Sequence, residues 1–190
     1  MSAKASKNIL EGIRRLRVGH LAALGAAVAA YLACPFRISI VEGPSMQPTL
    51  ASGTVCLLDR TAYAAHPVRR GDIVVFRHGA EVYTKRVYAA PGDHVILLRY
   101  EDGSYYLVPK SMDLALLRRA CERRLAAGVV DMDVPAGECF VLGDNAPASY
   151  DSRHFGFVDT RDVMGKLIAP VIGTSPGQFA QAPPVQDPSL

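Results

Sequence analysis

Residues 72–90, DIVVFRHGAEVYTKRVYAA, decide how the fold is read. A short run rich in β-branched and aromatic residues at 72–76 meets a turn at His78-Gly79, and a longer alternating run follows over 81–89. Side chains that alternate between two faces, with a glycine turn between the runs, predict a pair of short antiparallel strands. Lys85 falls inside the second strand, with Val75, Phe76, Val87 and Tyr88 around it. A lysine in such surroundings loses solvent, which disfavours its charged form and brings a neutral amine within reach as a base. The competing reading is a long side chain that snorkels to water. Arg86, next along the strand, is expected to face the other side.

The same period of two recurs outward from this pair. Residues 37–41, 54–58, 94–98, 104–108, 138–142, 157–158 and 166–172 read as further strands, and Glu101-Asp102-Gly103 is a hairpin turn signal. Proline and glycine punctuate the boundaries. The expected fold is therefore mostly β, a strongly twisted antiparallel sheet, closed or nearly closed so that its edges are protected. One stretch departs from the pattern. Residues 111–127, SMDLALLRRACERRLAA, place Leu114, Leu117, Cys121 and Leu125 at helical spacing, with Ser111 or Asp113 as a cap. They read as a small helical insertion whose Arg118, Arg119, Arg123 and Arg124 form a solvated face, with contact to a membrane surface as the second reading. Residues 174–190 are rich in proline and read as a flexible tail.

The chain has 190 residues, 49% of them apolar and 21% charged, which is enough for one domain with a real core. Its formal net charge of +3 has an address. Before Phe36 stand Lys4, Lys7, Arg14, Arg15 and Arg17 against Glu11 alone, so the remainder is close to neutral and is no footprint for a nucleic acid. Residues 18–36, VGHLAALGAAVAAYLACPF, contain no Asp, Glu, Lys or Arg. At about 1.5 Å per residue they reach roughly 28 Å, close to the hydrocarbon thickness of a bilayer. The expectation is a basic cytoplasmic segment at 1–17, a transmembrane anchor at 18–36, and an extracytoplasmic domain at 37–173. A cleaved export signal, with Ala27 and Ala29 as its small residues, is the competing reading. The cysteines at 34, 56, 121 and 139 and the five histidines are dispersed, so neither a metal nor another cofactor is expected. Cys56 and Cys139, in apolar runs, read as buried thiols.

Three stretches are more polar than turns require. Residues 41–50, VEGPSMQPTL, bracket Ser45 with prolines; Lys85 interrupts its strand; and Gly143-Asp144-Asn145 precedes Ser149-Tyr150-Asp151-Ser152-Arg153. A serine hydroxyl needs a base to become a nucleophile, and no histidine lies near Ser45 in sequence. Serine with lysine is a known substitute for the serine-histidine-aspartate arrangement.

In combination these stretches resemble the bacterial type I signal peptidases, membrane-bound Ser-Lys proteases. The likeness spans roughly residues 38–168 in family order: Ser-Met-x-Pro-Thr-Leu at 45–50, Gly-Asp-x-Val at 71–74, Lys-Arg-Val with Pro-Gly-Asp at 85–93, and Gly-Asp-Asn to Asp-Ser-Arg at 143–153. The resemblance implies Ser45 as nucleophile, Lys85 as general base, and a Ser149 hydroxyl that orients the lysine. It implies an Asp151 and Arg153 ion pair, a structural Asp144, Met46 near the floor of the substrate site or else in the core, and the Ser45 amide as one oxyanion donor. Gly43 replaces a serine that completes the oxyanion hole in some members, and Ala146-Pro147-Ala148 replaces a more polar stretch. The implied function is cleavage of signal peptides from exported preproteins after small residues, at the bacterial cytoplasmic membrane. The lipid bilayer and the preproteins are the implied partners, with no cofactor. Two alternatives stand beside it: a conjugation-associated peptidase that processes or cyclises a pilin-like precursor, and an inactive membrane-anchored β module that binds peptides.

Overall fold

The computed structural model describes residues 20–108, 114–123 and 127–172. The chain divides into two units, Met1–Pro35 and Phe36–Leu190. In the first, residues 20–33 form helix α1. The Cys34 amide still donates to the Ala30 carbonyl at 2.9 Å, and Pro35 then ends the helix, because proline has no N–H and disfavours helical backbone before it. Phe36, the last residue of the expected 18–36 anchor, opens the first strand. Among the described residues no helix is long and apolar enough to cross a membrane; residues 1–19, with the start of the expected span, lie outside them.

The second unit contains strands β1 (Phe36–Ile40), β2 (Val55–Asp59), β3 (Ile73–His78), β4 (Glu81–Ala89), β5 (His94–Arg99), β6 (Tyr105–Leu107), β7 (Gly128–Asp133), β8 (Glu138–Leu142), β9 (Val158–Asp159) and β10 (Val163–Ile172). Helix α2 (Leu114–Glu122) lies between β6 and β7, and the single turn α3 (Ser152–Phe155) lies between β8 and β9. The larger sheet runs β1-β2-β10-β3-β4-β8-β9 and the smaller β6-β5-β7, with every pairing antiparallel. Residues 72–90 do form the expected hairpin, with Ile73 opposite Arg86 and His78 opposite Glu81.

Two expectations change. Among the described residues the larger sheet ends at β1 and β9, which do not pair with each other, so it does not close on itself; β10, the last described strand, inserts between β2 and β3. Strand β7 had no clear sequence signal; it forms because β5 offers an edge along its full length, from His94 opposite Asp133 to Arg99 opposite Gly128. Helix α2 falls inside the expected 111–127 insertion. Its Leu117 is buried while Arg118 and Arg119 are exposed, as an amphipathic helix requires, and Arg123, just beyond its end, is exposed too. Ser111, Asp113, Arg124 and Leu125, like the 174–190 tail, lie outside the described residues. Cys56 and Cys139 are buried thiols, and burial pushes the Cys139 pKa up to about 12.

Three clusters of buried side chains form the core. One joins Val41, Met46, Leu50, Cys56 and Leu167 beneath the β1–β2 loop, a second surrounds Phe76, Val87 and Val141, and a third joins the smaller sheet through Ala89, Val95 and Phe140. The inserted strand β10 passes so close to β2 that a Cβ on Gly165 would stand 2.4 Å from the Asp59 carbonyl oxygen. Gly165→Ala is therefore expected to destabilise the peptidase unit by about 1–3 kcal/mol through forced backbone displacement. Denaturant melts of the parent and the variant measure it, and an unchanged midpoint would contradict it.

Candidate active site

Strand β4 carries Lys85 and Arg86 to opposite faces, as consecutive strand residues must be. Lys85 is 3% exposed, and its Nζ donates to Ser45 Oγ at 2.7 Å. Ser45 comes from the loop that joins β1 to β2. The base of this loop is closed by the Val41 amide on Thr54 O and the Gly53 amide on Val41 O. Its middle is pinned by Met46 and Leu50, both fully buried, so the serine is held up between two apolar plugs. Met46 is thus a core residue. Gly43 has φ +80°, and its amide donates to Ser52 Oγ at 3.1 Å.

Two buried ion pairs frame the dyad. Arg86 grips Asp144 with both arms, Nε to Oδ1 at 2.9 Å and Nη2 to Oδ2 at 2.8 Å, and reaches Gly71 O at 3.0 Å. Arg153 grips Asp151 in the same bidentate way, at 2.9 and 2.8 Å, and also donates to Ala146 O. Asp151 is fully buried, caps α3 through the Arg153 amide and accepts from the Gly143 amide at 3.0 Å. Burial opposes its charge, but the bonds from Arg153 and Gly143 prevail and hold its carboxyl below the usual range.

Burial is also the largest influence on Lys85 and pushes its pKa down; Asp151 pulls it back, Arg153 adds to the lowering, and Asp144 again opposes. Arg86, the cation nearest in sequence, faces away from Lys85 and is taken up by its ion pair with Asp144. Ser149 is buried close by; among the described residues its Oγ makes no close hydrogen bond, to Lys85 or to another group, although the hydroxyl stands near enough to Asp151 to help hold that carboxyl low.

Two further residues shape the site in ways that sequence reading missed. A Cβ on Gly143 would lie 2.2 Å from Ser149 Oγ and 2.5 Å from Ser45 O, so only glycine lets β8 and the serine loop approach this closely. Asn145 holds the same loop twice: its amide donates to Ser45 O at 3.0 Å and its Nδ2 to Pro44 O at 3.1 Å. Both glycine and asparagine stood inside a recognisable motif, but contacts across about a hundred residues leave no local signal.

A serine oxygen held against a buried, charge-disfavoured amine has the parts of a serine peptidase. A family model described as signal peptidase, peptidase S26, matches residues 14–172. A "Signal peptidase I" of Bacillus caldolyticus is 39% identical over 140 residues, covering 67% of this chain and 75% of the relative. An "Inactive signal peptidase IA" of Staphylococcus aureus is 26% identical over 132 residues, covering 67% and 74%. A crystal structure of a signal peptidase I from Enterococcus faecalis V583 is 33% identical, covers 53% of this chain and 97% of that one, and superposes with a TM-score of 0.35. The chain belongs to the signal peptidase family, peptidase S26, and is a membrane-associated serine endopeptidase of the signal peptidase I type that acts on signal peptides.

Gly143→Ala is expected to lower turnover by about a hundredfold while leaving a cooperative thermal transition, because the added methyl must displace Ser45 or Ser149 by most of an ångström. Turnover per folded enzyme measures this, and parental turnover would show that the close approach is not needed.

Proposed function

We propose that this chain releases exported proteins from their signal peptides through Ser45 as nucleophile and Lys85 as general base. The 2.7 Å contact between Ser45 Oγ and a lysine amine at 3% exposure carries the reading. With the amine neutral, the serine hydroxyl donates along this same contact, and Lys85 takes the proton as Oγ attacks the scissile carbonyl. The Ser45 N–H, which donates to no protein acceptor among the described residues, receives the developing oxyanion. Lys85 then passes its proton to the leaving amine. A water deprotonated by the same amine hydrolyses the acyl ester and restores the serine.

The two Asp–Arg pairs act as the frame. Asp144 neutralises Arg86 on the far face of β4, and Asp151 with Arg153 fixes the loop behind the lysine. The buried Ser149 hydroxyl, beside Gly143 and the serine loop, orients the amine. The substrate pairs as an extended strand with the outer edge of β1 and with residues 81–85 of β4, which pair with β3 but not with β8. Small residues precede the cut. Residues from Val18 to the helix end before Pro35 anchor the chain, with the basic start in the cytoplasm and the peptidase unit outside.

Ser45→Ala in detergent, against a substrate bearing an Ala-x-Ala signal, is expected to abolish cleavage without loss of folding; parental turnover would remove the assignment. Because burial lowers the Lys85 pKa from 10.5, kcat/KM rises with pH through the lowered value and levels off before the ordinary lysine value is reached. Lys85→Arg is expected to be inactive across pH 6 to 10, because guanidinium keeps its proton. A profile still rising at the ordinary lysine pKa would contradict the lowered value.

Lys85→Met is expected to be inactive and more stable than the parent. The folded state binds the Lys85 proton less tightly than the unfolded state. The lysine's penalty is therefore absent above the ordinary pKa, grows as pH falls, and is complete below the lowered pKa. Denaturant melts at several pH values measure it, and a gain in stability that shrinks toward acid pH would contradict it.

A further inference from the structure

We propose that Asn145 is the positioning residue that aims the Ser45 amide at the oxyanion and sets the distance from Ser45 to Lys85. The inference deepens the reading of Ser45 as nucleophile and rests on it. A trans peptide is planar, with its C=O and N–H pointing in opposite directions. Pro44 O and Ser45 N–H belong to one such peptide. Holding Pro44 O from one side with Asn145 Nδ2, at 3.1 Å, therefore orients Ser45 N–H on the other. The Asn145 amide grips the next peptide at Ser45 O, 3.0 Å away, so the peptides on both sides of the Ser45 Cα are held by one residue.

The Gln47 amide also reaches Pro44 O, at 3.1 Å, but it belongs to the serine loop itself and fixes only the loop's internal turn. Asn145 supplies the external reference. It directly follows the Gly143-Asp144 step beyond β8, whose Leu142 and Val141 pair with Arg86 and Val87 of the strand that bears the lysine. Asp144 is locked to Arg86, and Gly143 to Asp151, so Asn145 is fixed on both counts to the frame that holds Lys85. The serine loop and the lysine strand are thereby tied by a chain of contacts that does not pass through the reacting atoms.

The test uses the full chain in detergent micelles with a signal-bearing substrate, comparing the parent with Asn145→Asp and Asn145→Ala. Both variants keep the backbone amide and lose the side-chain donor; in Asn145→Asp the carboxylate also repels Pro44 O. Both are expected to lower kcat about tenfold or more with KM within about twofold of the parent, because the lost aim matters chiefly in the transition state. Two peptide probes that end at the residue before the cut separate aim from general structure. A C-terminal aldehyde forms a hemiacetal on Ser45 and uses the oxyanion donor, whereas a C-terminal carboxamide does not. The aldehyde is expected to weaken by about the factor lost in kcat and the carboxamide to bind as before.

Parental kcat in both variants, or equal weakening of the two probes, would overturn the proposal. If Asn145→Asp fails to fold, Asn145→Ala decides alone; if neither shows a cooperative melt, Asn145 serves folding and the proposal fails. Ser45→Ala run beside them keeps the two readings apart. Parental turnover there would remove Ser45 as the nucleophile, whereas its inactivity beside parental Asn145 variants removes only the role of Asn145.

Discussion

A potential cation buried in a protein interior is the constraint on which the rest of this structure depends. An ammonium taken out of water loses far more hydration than one hydrogen bond returns, so the group shifts toward its neutral form. Lys85 is in that position, nearly inaccessible and bonded to a serine hydroxyl that carries no formal charge. Among the described residues no carboxylate grips the amine directly. Asp151 and Asp144 lie near enough to pull its pKa back, but each is already occupied by an arginine. Had either carboxylate been unpaired, it would hold the lysine protonated and remove the base.

This explains why two arginines are invested in holding two aspartates. Buried ion pairs contribute little net stability, because the cost of removing both charges from water offsets their attraction. Here their value is positional. Arg86 ties β4 to the start of the loop after β8, and Asp151 caps α3 while it grips the Gly143 amide. The glycine between them is required by closeness, since no side chain fits between the serine loop and Ser149. The site is therefore over-determined around a lysine that, on its own, weakens the fold. That pattern is expected where function and stability pull apart.

The sequence alone determined the parts with a local cause. Alternation of apolar and polar residues placed the 72–90 hairpin, with β4 and β8 read to their observed ends, because a strand with one buried face writes its period into its own residues. The helical spacing around Leu117 located α2. Ser45, Lys85, Asp144, Asp151 and Arg153 were legible as an ordered set of motifs. What tertiary structure alone decided depends on residues far apart in the chain. β10 inserts between β2 and β3, the end strands β1 and β9 do not meet, and β7 exists because β5 presents an edge to it. The placing of the Ser149 hydroxyl, the space that only Gly143 allows, and the grip of Asn145 on Pro44 and Ser45 are likewise absent from any local pattern. A period records which face of an element is buried; which distant backbone atom lies 3 Å away is set only when all the elements have packed.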